Sequence, residues 1–342
     1  MSKSTSLKTR WDVTLSDYVG ALAWAPDGGA LAVACSTGAV VVLDGGSGKC
    51  LQELPGTEGT LALDWSSDGA WLATGGSDGT LRIWPSGGVA PRVILDAPRG
   101  AWVEHVRWAP ERPWVASAAG KLLAIHDAEG RVIGELAGHA STLTSVRWSQ
   151  DGSIVAACCY GGVTVWSPPA PADARLLSWK GSLLALELSP DGEHVACGAQ
   201  DGAVHVWHTR TGADLEMSGY PVKVRELAWD APSRWLATGG SPEITVWDFS
   251  GKGPAGSRPL QLQGHTDLVA DLAFHEARAQ LASGGRDGRV LVWSLARPKR
   301  PSAISAEAAA ASKLAFQPRG DGLAAGYESG RVRLFDVPGW GG

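Results

Sequence analysis

Leu281-Ala-Ser-Gly-Gly-Arg-Asp-Gly-Arg-Val-Leu-Val-Trp293 is two short apolar runs joined by Asp287-Gly288, a pair that closes tight hairpins because glycine accepts a positive φ. Upstream, Gly264-His265 leads into a third apolar run, Leu268 to Phe274. The segment therefore predicts three short antiparallel strands carrying His265, Ser283, Asp287 and Trp293. A neutral imidazole, a hydroxyl, a carboxylate and an indole N–H can pass hydrogen bonds along a line, and a sheet shelters such a line from water. We read these residues as a structural tetrad. A Ser-His-Asp catalytic triad is the competing reading, but the indole at the end of the line has no use in it.

Aligned on Trp293, the same phrase returns at Leu43, Trp84, His126, Trp166, Trp207, Trp247 and Phe335, in steps of 41, 42, 40, 41, 40, 46 and 42 residues. A period near forty with several short strands per unit belongs to propeller blades, none of which buries its faces until a neighbour stacks on it. Composition agrees, since 45 glycines and 17 tryptophans stand against only 4 phenylalanines and 4 tyrosines. That balance suits many tight turns with one recurring aromatic anchor.

With these residues in view, the chain resembles the WD-repeat (WD40, β-transducin-like) family. The strongest matches are 281–293 and Leu72-Ala-Thr-Gly-Gly-Ser-Asp-Gly-Thr-Leu-Arg-Ile-Trp84, and the resemblance covers nearly the whole chain. It implies an all-β WD40-type β-propeller forming one domain over 1–342, and a role as a protein-interaction scaffold or adaptor.

Each unit's first strand ends in a bulky residue: Trp24, Trp65, Trp108, Trp148, Leu188, Trp229, Phe274 and Phe316. Burying one such aromatic ring removes ~150–250 Å² from water, worth roughly 4–6 kcal/mol before ordering entropy is subtracted. Turns such as Pro26-Asp27-Gly28 and Pro190-Asp191-Gly192 follow, and then second strands rich in small residues, such as Leu31-Ala32-Val33. The outer strands, such as Lys49 to Leu54 and Arg131 to Leu136, are more polar. The last third strand, Arg331 to Phe335, has no outer strand after it, whereas Arg10 to Leu15 precedes the first unit and alternates like a strand. Pairing the two would close the ring without a bare edge. The expectation is thus an eight-bladed propeller closed by its N-terminal strand, with seven blades and one stray repeat as the alternative.

Departures from the phrase matter too. His139 follows Gly138, but Ala157 and Tyr160 stand where Ser283 and Asp287 would be, so that unit's tetrad cannot form. Units two and five keep Asp78 with Trp84 and Asp201 with Trp207 but have no Gly-His pair upstream.

The net charge of −5 argues against a general binder of nucleic acid or anionic membranes. No run of 18 apolar residues occurs, and four of the five cysteines (Cys35, Cys158, Cys159, Cys197) fall in apolar strand-like runs without metal-ligand spacing. A cytoplasmic monomer with reduced thiols, no membrane contact, no metal and no cofactor is expected. His205 and His208 form the only close histidine pair, and three residues apart in a strand they face opposite sides. No phosphate loop, CxxC pair or nucleophile elbow is present, so no catalytic residue is assigned. The alternative is a propeller enzyme with a central-channel site, or a regulatory subunit of an enzyme complex. Perturbed carboxylates in that channel, together with a bound metal or quinone, would favour it.

Partner contact is expected on the rim built from the loops before inner strands and the hairpins between second and third strands. Alignment places Tyr18, Trp102, Tyr160, Trp179, Tyr220 and Tyr327 there, with Lys180, Lys223, Arg225, Arg286 and Glu328 around them. Tyrosine and tryptophan give large contact areas with a polar handle. The basic stretch Arg297-Pro298-Lys299-Arg300-Pro301 is read as an extended, solvated loop. Glu307 to Ala311 is read as the link into the last inner strand, and Gly251 to Ser257 as the loop behind the longest spacing.

Overall fold

The computed structural model describes residues 4–37, 40–55, 59–251 and 253–338. The first residues of the polar start, position 252 of the Gly-rich loop and the end of the C-terminal tail lie outside this set. Strand follows strand almost without interruption, in antiparallel meanders whose third strands carry the anchoring phrase. The chain is an all-β propeller.

The inner strands are Val19–Trp24, Thr60–Trp65, Val103–Trp108, Ser145–Trp148, the segment 183–188, Leu227–Trp229, Val269–Phe274 and Ala311–Phe316. Each contacts the next, and the last returns to the first. Their bulky ends wedge between neighbouring sheets, and the indoles of Trp24 and Trp148 donate to the Ala315 and Arg107 carbonyls of the preceding inner strand at 3.1 and 2.9 Å. Second strands are buried on both faces, as their small residues suggest, whereas the outer strand Val132–Leu136 is largely open to water.

Among the described residues, continuous pairing yields seven hydrogen-bonded sheets, so the expectation of eight separate ones is corrected. Units four and five share a single six-stranded sheet. Two strands of double length, Val155–Trp166 and Arg175–Leu188, make the join. Each changes partner midway: 155–158 pair with the inner strand of unit four, whereas 162–165 pair with 175–178. The bend falls at Gly161 and Gly162, with φ of 100° and 137°, and the Tyr160–Ser182 pair bridges it. Only glycine takes such φ values without strain.

At the other seam, Lys8–Thr14 lies antiparallel beside Arg331–Asp336, with Thr14 opposite Arg331 and Lys8 opposite Asp336. Trp11 is buried there, with Trp24, Leu31 and Leu334 in one cluster, and its indole donates to the Gly45 carbonyl at 3.1 Å. Asp12 accepts from Arg331 at 2.5 Å and from Arg333 at 2.9 Å, and these guanidiniums hold its carboxyl below the usual range. Glu307 binds the same two arginines from the other side, so the stretch read as a simple link clamps the seam. Thr5–Ser6 pairs in parallel with Ala303–Ala306, a contact the sequence reading missed. The N-terminal segment therefore edges two sheets.

Candidate functional site

The tetrad is assembled as a chain of donors. The Trp293 indole donates to Ser283 Oγ at 2.9 Å, Ser283 Oγ lies 2.8 Å from His265 Nε2, and His265 Nδ1 lies 3.0 Å from Asp287 Oδ1. Asp287 also accepts from the Thr266 backbone N–H at 2.8 Å. Burial pushes the imidazole down despite Asp287, which keeps it neutral, and Asp287 stays low because those donors outweigh its burial. Gly288 is obligatory: its φ is +73°, and a Cβ would collide with the Glu307 carbonyl. Ser283 is fully buried beneath the indole, which gives its hydroxyl no route to a substrate.

Other units solve the same problem differently. In unit two, the Trp84 indole donates to Thr74 at 3.0 Å while Asp78 caps its own hairpin and pairs with Arg82. In unit four, His139 Nδ1 lies 3.0 Å from the Lys121 carbonyl, at the surface. Unit six uses tyrosine: the Trp247 indole donates to the Tyr220 hydroxyl at 2.9 Å, and that hydroxyl lies 2.7 Å from Thr238 Oγ1. Tyr220 was expected on the rim for a partner, but its polar end is committed to the blade. Tyr220→Phe should strand the Trp247 indole and cost about 1–2 kcal/mol. A urea midpoint unchanged from the parent's would contradict this network.

The rim holds a smaller set than the sequence suggested. Trp102 and Tyr160 are 56% and 52% exposed, and Leu61 and Val222, which alignment gave no reason to single out, are 39% and 41% exposed beside the same loops. Tyr18 is half-buried where the rim meets the axis, and Lys223, Arg225, Arg286 and Glu328 line that mouth with it. Tyr327 is corrected: as the last residue of its strand, paired with Ala311, it follows the alternation into the space between sheets and is fully buried with Leu7 and Phe335. Trp179 is half-buried, with its ring 3.5 Å from that of His205, so packing uses much of it. Lys180 is exposed. The 297–301 loop lies at the opposite rim, between Arg289–Ser294 and Ala303–Ala306.

Along the axis runs a channel of about 840 Å³, walled by the inner strands. Burial raises Asp271 and Glu226 on its wall, and Asp64 on the inner strand Thr60–Trp65. Two of them tie neighbouring sheets together: Asp64 accepts from the Trp108 N–H at 2.8 Å and Asp271 from the Leu314 N–H at 2.7 Å. Glu187 pairs with Arg147 at 2.7 Å. Among the described residues, no group of three His, Cys, Asp or Glu side chains is placed to hold a metal.

Burial, with Arg107 and Arg147 adding to it, pushes His105 on this wall down to about 3. Its unfolded value is ~6.5. Neutral His105 therefore contributes stability that is whole above ~6.5 and is lost as pH falls from there toward the folded value. Acidification in that window should destabilise the protein by up to ~1.4 kcal/mol per pH unit, and His105→Gln should remove this component. Urea titrations of the two proteins at about pH 7 and about pH 5 check it. Equal acid sensitivity would contradict a neutral, desolvated His105.

The WD domain, G-beta repeat model matches residues 48–85, 130–167, 175–208 and 256–294, and the anaphase-promoting complex subunit 4 WD40 domain model matches 5–61. Together they cover more than half of the chain. Telomerase protein component 1 of Rattus norvegicus is 24% identical over 347 residues, spanning 98% of this chain but 11% of that protein. The WD repeat-containing protein slp1 of Schizosaccharomyces pombe is 26% identical over 274 residues, spanning 72% of this chain and 50% of slp1. This chain therefore spans about a tenth and about half of those relatives. Among solved structures, Chaetomium thermophilum Sqt1 bound to the N-terminus of the ribosomal protein L10 superposes with a TM-score of 0.80 at 18% identity, covering 98% of this chain and 99% of that one.

Proposed function

The chain belongs to the WD40-repeat family, and from that premise we propose that it is a non-catalytic scaffold or adaptor that binds a partner protein or peptide on one rim. One observation carries this reading. On the rim around the channel mouth, Leu61, Trp102, Tyr160 and Val222 are large apolar side chains left open to water, beside the charged residues lining the mouth. Exposed aromatics rimmed by charge are the composition of binding hot spots. A protein-bound relative in fold, Sqt1 with the L10 N-terminus, is consistent with it.

The ring is proposed to work as eight repeat units in a single domain, with units four and five acting as two blades despite their shared sheet. The inner segments that succeed one another around the channel support this count. The enzyme alternative is weaker, because the channel carboxylates Asp271 and Glu187, like Asp64 on the second inner strand, are occupied in holding inner strands together. A cytoplasmic monomer is the proposed state; the described cysteines are unpaired, four of them buried, which suits a reducing compartment.

Trp102→Ala combined with Tyr160→Ala should weaken partner capture from a lysate of the source cells at least tenfold, about 1.4 kcal/mol or more, with melting unchanged. Quantitative mass spectrometry of captured proteins is the measurement. Capture insensitive to that pair but lost in Arg297→Glu with Arg300→Glu would move the working face to the opposite rim.

A further inference from the structure

The charges around the channel mouth are unequal in their occupation. The chain carries a net charge of −5, yet Asp271 and Glu187 on the channel wall are engaged, by the Leu314 N–H and by Arg147, and among the described lining residues Glu328 is the one exposed carboxylate, facing three exposed cations. Lys223, Arg225 and Arg286 are exposed, line the mouth together and, among the described residues, have no carboxylate partner. They sit on neighbouring loops, before the sixth inner strand and at the seventh unit's hairpin. Deeper in, the Arg107 guanidinium donates to the Val106 carbonyl at 2.8 Å, with the charges of Asp64 and Glu187 acting on it. The exposed side chain of Val222 lies within the same arc.

Resting on the reading of this rim as a partner-binding face, we propose that the partner segment is a short acidic peptide with an apolar or aromatic anchor. Its anionic side chains meet Lys223, Arg225 and Arg286, and its anchor lies against Val222 and the Tyr160 side of the rim. Complementary charge would steer its approach and fix its direction. An acidic partner gains ion pairs with cations that have none to give up. A basic partner would meet Glu328 flanked by three cations, and deeper carboxylates, Asp271 and Glu187, that must first leave the donors holding the ring together.

The test uses a display library of random linear peptides, selected on the full-length protein and on a Lys223→Glu, Arg225→Glu, Arg286→Glu variant. Enrichment of net-negative sequences with an aromatic or aliphatic residue is expected. Resynthesised peptides should bind the variant at least tenfold more weakly, and more weakly as salt rises. Replacing their acidic residues with phosphoserine tells which anion is preferred: tighter binding points to phosphorylated partners, unchanged or weaker binding to aspartate and glutamate. Selection of cationic or uncharged peptides that still need Trp102 and Tyr160 would overturn the acidic assignment and leave the rim reading standing. Peptides that bind both the charge variant and the Trp102→Ala, Tyr160→Ala variant at full strength would overturn both. No enrichment of any sequence, or displacement of selected peptides by a random RNA oligonucleotide, would overturn the peptide assignment.

Discussion

Removing residues 1–15 should abolish the soluble monomer. The deletion strips Lys8–Thr14 from Arg331–Asp336 and leaves a row of unpaired N–H and C=O groups on the strand that closes the ring. It takes Trp11 out of a cluster shared with Trp24, Leu31 and Leu334, a loss of roughly 4–6 kcal/mol before entropy is counted. It also leaves Arg331 and Arg333 without Asp12 and uncovers the edge that Thr5–Ser6 protects. Domains are stable by only about 5–15 kcal/mol, so the combined loss is comparable with the whole. The truncated protein should appear in inclusion bodies or elute as aggregate on size exclusion. Monomeric elution with an unchanged melting temperature would show that the ring does not depend on this strand.

Asp287→Ala should cost about 1–3 kcal/mol, because it leaves a buried imidazole and the Thr266 N–H without their acceptor. His139→Ala should cost less than about 0.5 kcal/mol, since that ring is at the surface and makes one contact with a carbonyl. The pair is informative because both histidines follow a glycine in the same phrase. Denaturant titrations of the two variants decide it. Equal losses, or a larger one at His139, would contradict the assignment of the buried network to the seventh unit.

What could be read in advance was whatever repeats. Anchors, hairpins and small-residue strands recur near forty residues apart, and the tetrad appears wherever its residue types do, as in His265 with Ser283, Asp287 and Trp293. Substitutions of role were not legible. Tyr220 stands in for a histidine in unit six, which only the meeting of its hydroxyl with Trp247 and Thr238 reveals. Tyr327 and Tyr160 align at equivalent hairpins, but one ends its strand facing inward and the other sits at a glycine bend facing water. The fusion of units four and five depends on Gly161 and Gly162 taking φ values that a sequence only permits. The tied carboxylates Asp64 and Asp271 were missed because their partners are backbone groups on the next inner strand, a contact between units rather than within one.

The central claim is that partners dock on the rim carrying Trp102, Tyr160 and the cations of the channel mouth. The most direct measurement places a photo-crosslinking amino acid at position 102, 222 or 297 in separate proteins and maps the adducts formed with captured partner by mass spectrometry. Adducts from 102 and 222, with none from 297, are the predicted result. Adducts from 297 alone would contradict it and assign partner binding to the opposite rim.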